Sequence, residues 1–145
     1  MRLATQKEKF ALLGTPGDHK RQGICKIPMK LKLSWKLGYN LTQFQCHIML
    51  IPHFLQVYKK LSKLDKSLIE ASGMDIWGGC YNYRPIRGTE HQAAPPFSAH
   101  AWGAAIDHDP VRNGLHTKAP KANLSHPDFD QIHDIWAQHG FINMG

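Results

Sequence analysis

A histidine and an aspartate that lie close together in the chain, His100 and Asp107, carry the kinds of side chain that bind zinc. An imidazole nitrogen and a carboxylate oxygen both coordinate this ion at about 2.0–2.2 Å. Seven residues of helix rise about 10.5 Å and seven residues of straight strand about 23 Å, so neither element brings both side chains to one ion. A turn is needed, and Gly103 can supply it because glycine adopts left-handed backbone conformations. The spacing alone leaves open a structural histidine followed by a turn aspartate.

The residues around this pair fit a longer pattern. Five of them, in the order Ser-x-His-x-x-Gly-x-Ala-x-Asp, match it in full: Ser98, His100, Gly103, Ala105 and Asp107. This pattern resembles the signature of zinc D-alanyl-D-alanine carboxypeptidases and L-alanyl-D-glutamate endopeptidases. That family shares its fold with the hedgehog signalling domain.

Two flanking segments extend the resemblance over roughly residues 14–145, more weakly before Trp77. Upstream, residues 78–88 (GGCYNYRPIRG) are similar to the strand and arginine turn that precede the motif in phage-type members. Downstream, the Asp-Pro-x-x-Asn run from Asp109 to Asn113 resembles a loop of those members, and residues 139–141 (HGF) resemble their approach to the last strand.

The resemblance implies a role for each matching residue. His100 and Asp107 would be the first two ligands of a Zn²⁺ cofactor, Arg84 would steady the substrate and the developing oxyanion, and Ser98 would line the substrate site. Arg87 is as well placed as Arg84 to bind substrate, and either arginine could instead pair with an acid. Ser98 could instead only cap a turn. The activity implied is metallopeptidase hydrolysis of peptidoglycan stem peptides, as in a phage endolysin that degrades the bacterial cell wall.

The sequence departs from the family pattern after the motif. Family members carry the general base and the third zinc ligand near the C-terminus, as Glu or Asp followed closely by His, whereas this sequence ends at Gly145 before such an element. Substitute ligands are conceivable, although none matches the family position: His108, His116, His126, His133 and His139. We therefore expect a C-terminally truncated member. The alternative is an inactive member that acts as a wall-peptide or protein binding module.

The hydrophobic pattern predicts the elements that must position these residues. Apolar residues alternate over residues 24–36, which favours an extended segment, and recur at helical spacing over residues 52–69, with Gly73 as the stop. Residues 74–83 read as a strand, a helix is expected from Ser125, and residues 141–145 resemble the start of another strand. We expect one α+β domain over residues 1–145, with helices packed on a small antiparallel sheet of the hedgehog/DD-peptidase-like kind. Residues 1–13 would be an N-terminal extension with a short helix.

Composition narrows the class of partner. The chain of 145 residues has a formal net charge of +7, which favours anionic partners such as wall polymers, but it shows no nucleic-acid-binding motif. Net charge alone would support a nucleic-acid-associated protein.

The three cysteines form no CxxC pair and predict buried reduced thiols. There is no apolar run of membrane-spanning length and no signal-peptide pattern. We expect a monomer made in the cytoplasm that acts on the wall after release, with a peptidoglycan peptide as its partner and no nucleic acid or membrane partner.

Overall fold

A four-stranded mixed sheet is the centre of the structure, which is a computed structural model describing residues 2–114 and 116–144. The strands are β1 (Gln22–Leu33), β2 (Asn40–His47), β3 (Ile76–Gly79) and β4 (Asp107–His108), in the spatial order β2-β1-β3-β4. β1 and β2 form an antiparallel hairpin, β3 lies parallel to β1, and β4 is antiparallel to β3.

Within the described residues, four α-helices accompany the sheet: α1 (Gln6–Leu13), α2 (Ile51–Leu61), α3 (Lys66–Ser72) and α4 (Asp130–Gln138). The predicted α+β class is therefore confirmed, but the prediction of a wholly antiparallel sheet is wrong for the β1–β3 pair. A parallel pair requires a crossover connection rather than a tight hairpin. Here α2 and α3, which lie between β2 and β3 in the chain, belong to that connection.

The helix predicted after Pro52 is divided in two. α2 ends at Leu61 and α3 begins at Lys66, while Gly73, with φ 79°, ends α3 as expected. Between the helices, the Ser62 hydroxyl donates to the Lys59 carbonyl oxygen at 2.7 Å, a local bond that competes with helix continuation. The apolar spacing continues through Leu61, Leu64 and Leu68, so the pattern that predicted one helix does not reveal the break.

Three other predicted boundaries change. The strand expected over residues 74–83 is only Ile76–Gly79, because the backbone turns at Gly79, which has φ 131°. The helix expected from Ser125 begins at Asp130, after a short 3₁₀ turn that the His126 ring caps by accepting from the Asp128 N–H at 3.2 Å. Residues 141–144 are not a strand, and Gly145 lies outside the described residues.

The core lies between the sheet and helices α2, α3 and α4. It contains Phe44, Phe54, Tyr58, Trp77 and Ile132, together with all three cysteines. The cysteines are free and buried, as the sequence predicted. Burial raises the pKa of the Cys80 thiol, which keeps it protonated.

No helix in the described ranges combines the length and the apolar character that crossing a bilayer requires.

His108 lies inside this core with both ring nitrogens bonded. Its Nδ1 lies 3.0 Å from the Ile76 carbonyl oxygen, so Nδ1 carries the proton, and its Nε2 accepts from the Tyr58 hydroxyl at 2.8 Å. Burial lowers the pKa of His108 from 6.5 to about 4, although the Ile76 carbonyl and nearby acids oppose the shift. The neutral ring is therefore the form that the fold requires.

We predict that His108 makes the protein less stable as the pH falls from about 6.5 to about 4. Between these pH values the ring takes up a proton in the unfolded chain but not in the folded protein. The loss of stability is therefore complete below the pKa of the folded state and absent above the pKa of the unfolded state. A difference between pKa 6.5 and about 4 corresponds to about 3 kcal/mol. Denaturant unfolding of His108→Gln at several pH values should show a flatter slope than wild type. The exposed His126→Gln is the control, and an unchanged slope in His108→Gln would contradict the assignment.

Candidate metal centre

His100 lies on a short 3₁₀ turn, Ala99–Trp102, that Ser98 begins and Gly103 ends. The Ser98 hydroxyl accepts from the His100 N–H at 3.3 Å, so Ser98 caps the turn, as the alternative interpretation of this residue held. Ser98 is buried, so its contribution to the site includes fixing the backbone from which the His100 ring projects.

Gly103 supplies the turn that the spacing requires. Its backbone is left-handed, with φ 67° and ψ 35°, and its N–H bonds back to the Ala99 and His100 carbonyls. A Cβ at this position would lie 2.8 Å from the His47 backbone nitrogen and 3.0 Å from the Cys46 carbonyl carbon. Conformation and close packing therefore both select glycine.

The His100 ring is oriented by a backbone carbonyl. Its Nδ1 lies 2.7 Å from the Cys80 oxygen, and the Asn82 N–H donates to the His100 carbonyl at 2.9 Å. The segment after β3 therefore holds both the ring and the backbone of His100. Because only a protonated Nδ1 can donate to a carbonyl, the neutral ring carries its lone pair on Nε2.

The Nε2 atom of His100 faces Asp107, with 3.4 Å between Nε2 and Oδ2. A lone pair and a carboxylate oxygen are both acceptors, so a neutral His100 cannot hydrogen-bond to Asp107, whereas a cation between them would be attracted to both. A proton can fill that role by making the imidazolium, and so can a metal ion. Two ligand atoms on one tetrahedral zinc ion lie about 3.4 Å apart, given bond lengths near 2.1 Å. The spacing thus fits the edge of a zinc coordination tetrahedron.

Asp107 reaches this position through close backbone contact with β3. It pairs with Gly79, and a Cβ on Gly78 would approach the Asp107 Cβ and carbonyl oxygen to 2.9 Å. The His100 side chain is 12% exposed and that of Asp107 is 55% exposed, so the pair is open to solvent on the Asp107 side.

Positive charge keeps the Asp107 carboxylate ionised. Burial raises the pKa of Asp107, but the hydrogen bond and charge of His100 in its protonated form, together with the charges of Arg84 and Arg87, outweigh burial and leave the pKa below its ordinary value. Arg84 is half-buried and donates through Nη1 to the Pro85 carbonyl at 3.1 Å. Its Nε is buried without a hydrogen-bond partner among the described residues. Arg87 is exposed. The charges of both arginines lower the pKa of Asp107, so both act electrostatically on the acid of the pair.

The other histidines that the sequence offers as possible ligands bond to other groups or do not join His100 and Asp107 in a metal-binding group. His108 is bonded within the core, His126 caps a turn, and the Nε2 of His133 contacts the Leu124 carbonyl at 2.5 Å. His116 is exposed, with φ 69°, and His139 is half-buried just after α4. Within residues 2–114 and 116–144, no three His, Cys, Asp or Glu side chains lie together as a metal-binding group.

The N-terminal segment, which the sequence predicts to be an extension, packs on the turn that carries His100. The Gln6 amide exchanges two hydrogen bonds with the Phe97 backbone, at 2.8 and 3.1 Å. The Phe10 ring lies edge-on to Trp102 at 5.3 Å, and the Trp102 indole donates to the Gly14 carbonyl at 2.8 Å. The sequence of α1 does not predict these contacts, because most of the hydrogen bonds involve backbone atoms.

Comparisons with known proteins assign no family: the chain matches no protein-family model, and no significant match was found among curated proteins or solved structures. The geometry of the pair and the motif remain the basis for a functional proposal.

We predict that Gly103→Ala disrupts the turn and lowers the free energy of unfolding by about 2–4 kcal/mol. The left-handed backbone and the contact with His47 and Cys46 backbone atoms both oppose the added methyl group. Thermal and denaturant unfolding measure the loss. Gly38→Ala is the matched control, since Gly38 has φ 83° and nothing within 4 Å of its added Cβ. Equal losses in the two variants would show that backbone strain alone is responsible.

Proposed function

We propose that the chain is a zinc-dependent peptidase domain of the hedgehog/DD-peptidase-like kind, directed at peptide bonds of bacterial peptidoglycan stem peptides. One observation carries the proposal: the Nε2 of His100 and the Oδ2 of Asp107 lie 3.4 Å apart while the Cys80 carbonyl holds Nδ1. An arrangement of this kind, with the second ring nitrogen of a ligand histidine bonded to a carbonyl, is characteristic of metal-binding histidines.

The residues of the pair fit a zinc ion in donor type and spacing. His100 would hold it through Nε2 and Asp107 through Oδ2, with the charges of Arg84 and Arg87 favouring the ionised carboxylate. Zinc in such a site polarises a carbonyl and lowers the pKa of water, which is the chemistry that amide hydrolysis needs. Catalytic zinc sites normally have three protein ligands, so the proposal assigns two of them to this chain's described residues.

Substrate orientation falls to the arginines and to Ser98. Stem peptides carry carboxylates, and guanidinium groups bind carboxylates through paired hydrogen bonds. Arg84 is the stronger candidate because its charge acts on Asp107 more strongly than that of Arg87 does, and Arg87 adds positive charge at the exposed edge. In this proposal, Ser98 lines the substrate site while its oxygen accepts from the His100 N–H.

Zinc binding tests the pair directly. Titration of the metal-free protein with zinc, followed by calorimetry, should show one site, with affinity lowered at least about 10-fold in His100→Ala and in Asp107→Asn. The physical reason is that His100→Ala removes one of the two ligand atoms, while Asp107→Asn removes the negative charge of the other. His91→Ala, at an exposed histidine, is the control and should bind zinc like wild type. If His100→Ala and His91→Ala bind equally, the pair is not the zinc site.

A stem-peptide titration tests the arginine. With zinc present, Arg84→Gln should bind a stem tripeptide about 10-fold more weakly, because a charged hydrogen bond to a carboxylate is lost. Its zinc affinity should be unchanged. Lys63→Gln removes the same charge from an exposed position outside the site and should leave peptide affinity at the wild-type value. Equal weakening in both variants would indicate a general effect of net charge instead.

Hydrolysis of purified peptidoglycan separates an enzyme from a binding module. Release of new amino groups that stops when a chelator removes zinc, and returns when zinc is restored, supports the peptidase. Peptide binding without release under the same conditions supports the alternative, a domain that binds wall peptide without cutting it.

A further inference from the structure

The loop between β1 and β2 presents three large apolar side chains to solvent. Trp35 is 63% exposed, Leu37 100% and Tyr39 54%. These three residues are here called the apolar tip. Large exposed apolar groups that lie together mark an interaction surface more often than isolated ones do.

The hairpin that carries the tip is purely basic in its charged residues. Between Gln22 and His47 it contains four lysines and no acidic residue: Lys26, Lys30, Lys32 and Lys36. The absence of acids extends further, from residue 19 to residue 64. Lys32 pairs with Asp75 at 3.1 Å, while Lys26, Lys30 and Lys36 are exposed.

The tip is held by backbone bonds and is not a loose segment. The Leu33 N–H donates to the Tyr39 carbonyl at 2.9 Å, and the Ser34 N–H donates to the Trp77 carbonyl at 3.0 Å. The Lys36 ammonium lies 3.9 Å from the centre of the Tyr39 ring, which places a positive charge within the apolar tip itself. The side chains are therefore presented outward on an ordered hairpin, which reduces the entropy lost on binding.

We propose that this hairpin docks the protein onto anionic lipid bilayers. Tryptophan and tyrosine favour the interface between headgroups and hydrocarbon, where one side of the ring is apolar and the other is wet. Leucine favours the acyl region beneath, and the hairpin lysines, of which Lys36 lies at the tip, are attracted to anionic headgroups. The apolar tip therefore matches the hydrocarbon and interfacial regions of a bilayer, and the lysines match its anionic headgroups.

The chemistry of the tip favours a bilayer over a hydrated polyanion and over a second copy of the chain. A hydrated polyanion would pair with the lysines but leave Leu37 in water. A second copy of the chain would bring the same positive charges together. The expectation of no membrane partner came from the lack of a spanning segment, and docking on a surface needs none. The proposal does not depend on zinc binding or on peptidase activity.

Vesicle co-sedimentation tests the proposal with the full chain. We expect it to sediment with vesicles of phosphatidylcholine and phosphatidylglycerol, much less with phosphatidylcholine alone, and less at high ionic strength. The double variant Trp35→Ser/Leu37→Ser should bind at least about 10-fold more weakly. Lys30→Gln/Lys36→Gln should lose about 10-fold or more on the anionic vesicles.

Matched controls change equivalent groups elsewhere. Val111→Ser alters a side chain that is 84% exposed, and Lys7→Gln/Lys121→Gln removes the same charge from exposed positions outside the hairpin. The first should bind like wild type, and the second should lose clearly less than the hairpin pair. Thermal unfolding checks that each variant is folded. We expect all of them to fold, because the altered residues are exposed.

Trp35 also provides a direct signal. It is the most exposed of the four tryptophans, since Trp77 and Trp102 are buried and Trp136 is half-buried. Brominated anionic lipid should quench wild-type emission and should quench Trp35→Phe much less, although that variant still binds. Three results would overturn the proposal: no sedimentation with anionic vesicles, equal losses in hairpin and control variants, or hairpin-dependent self-association without vesicle binding.

Discussion

The hydrogen bond from His100 Nδ1 to the Cys80 carbonyl, at 2.7 Å, determines what the rest of the centre can do. It commits the neutral ring to a lone pair on Nε2, and that lone pair faces a carboxylate oxygen at 3.4 Å. A proton or a metal ion placed between two acceptors at this separation would be attracted to both. Because the carbonyl belongs to the chain just after β3, the position of the sheet sets the orientation of the ring.

The two residues of β4 lie in different environments, one at this centre and the other in the core. Asp107 lies at the half-exposed site, whereas its neighbour His108 is buried and bonded to Tyr58 and to the Ile76 carbonyl. Successive side chains of a strand point to opposite faces, so one short strand serves both. The acid of the centre is therefore attached to a part of the backbone that is anchored in the core.

Glycines and backbone contacts, more than side-chain packing, bring the elements of the centre together. Gly78 lets Asp107 approach β3, and Gly103 lets the His100 turn approach the end of β2. The N-terminal segment then binds the same turn through Gln6 and Phe10. A centre built in this way is sensitive to small changes of volume at positions that carry no chemistry themselves.

The sequence by itself determined some of the local features of this protein. The spacing of His100 and Asp107 required a turn, and Gly103 has the left-handed backbone that such a turn needs. The apolar stripes of α2 and α4 were visible because helical periodicity reports which face is buried. Only the tertiary structure decided that Cys80 orients His100, that His108 points inward and that β1 and β3 are parallel. These features depend on backbone groups and partners far apart in the chain, and neither residue type nor local periodicity encodes which distant atom a side chain will meet.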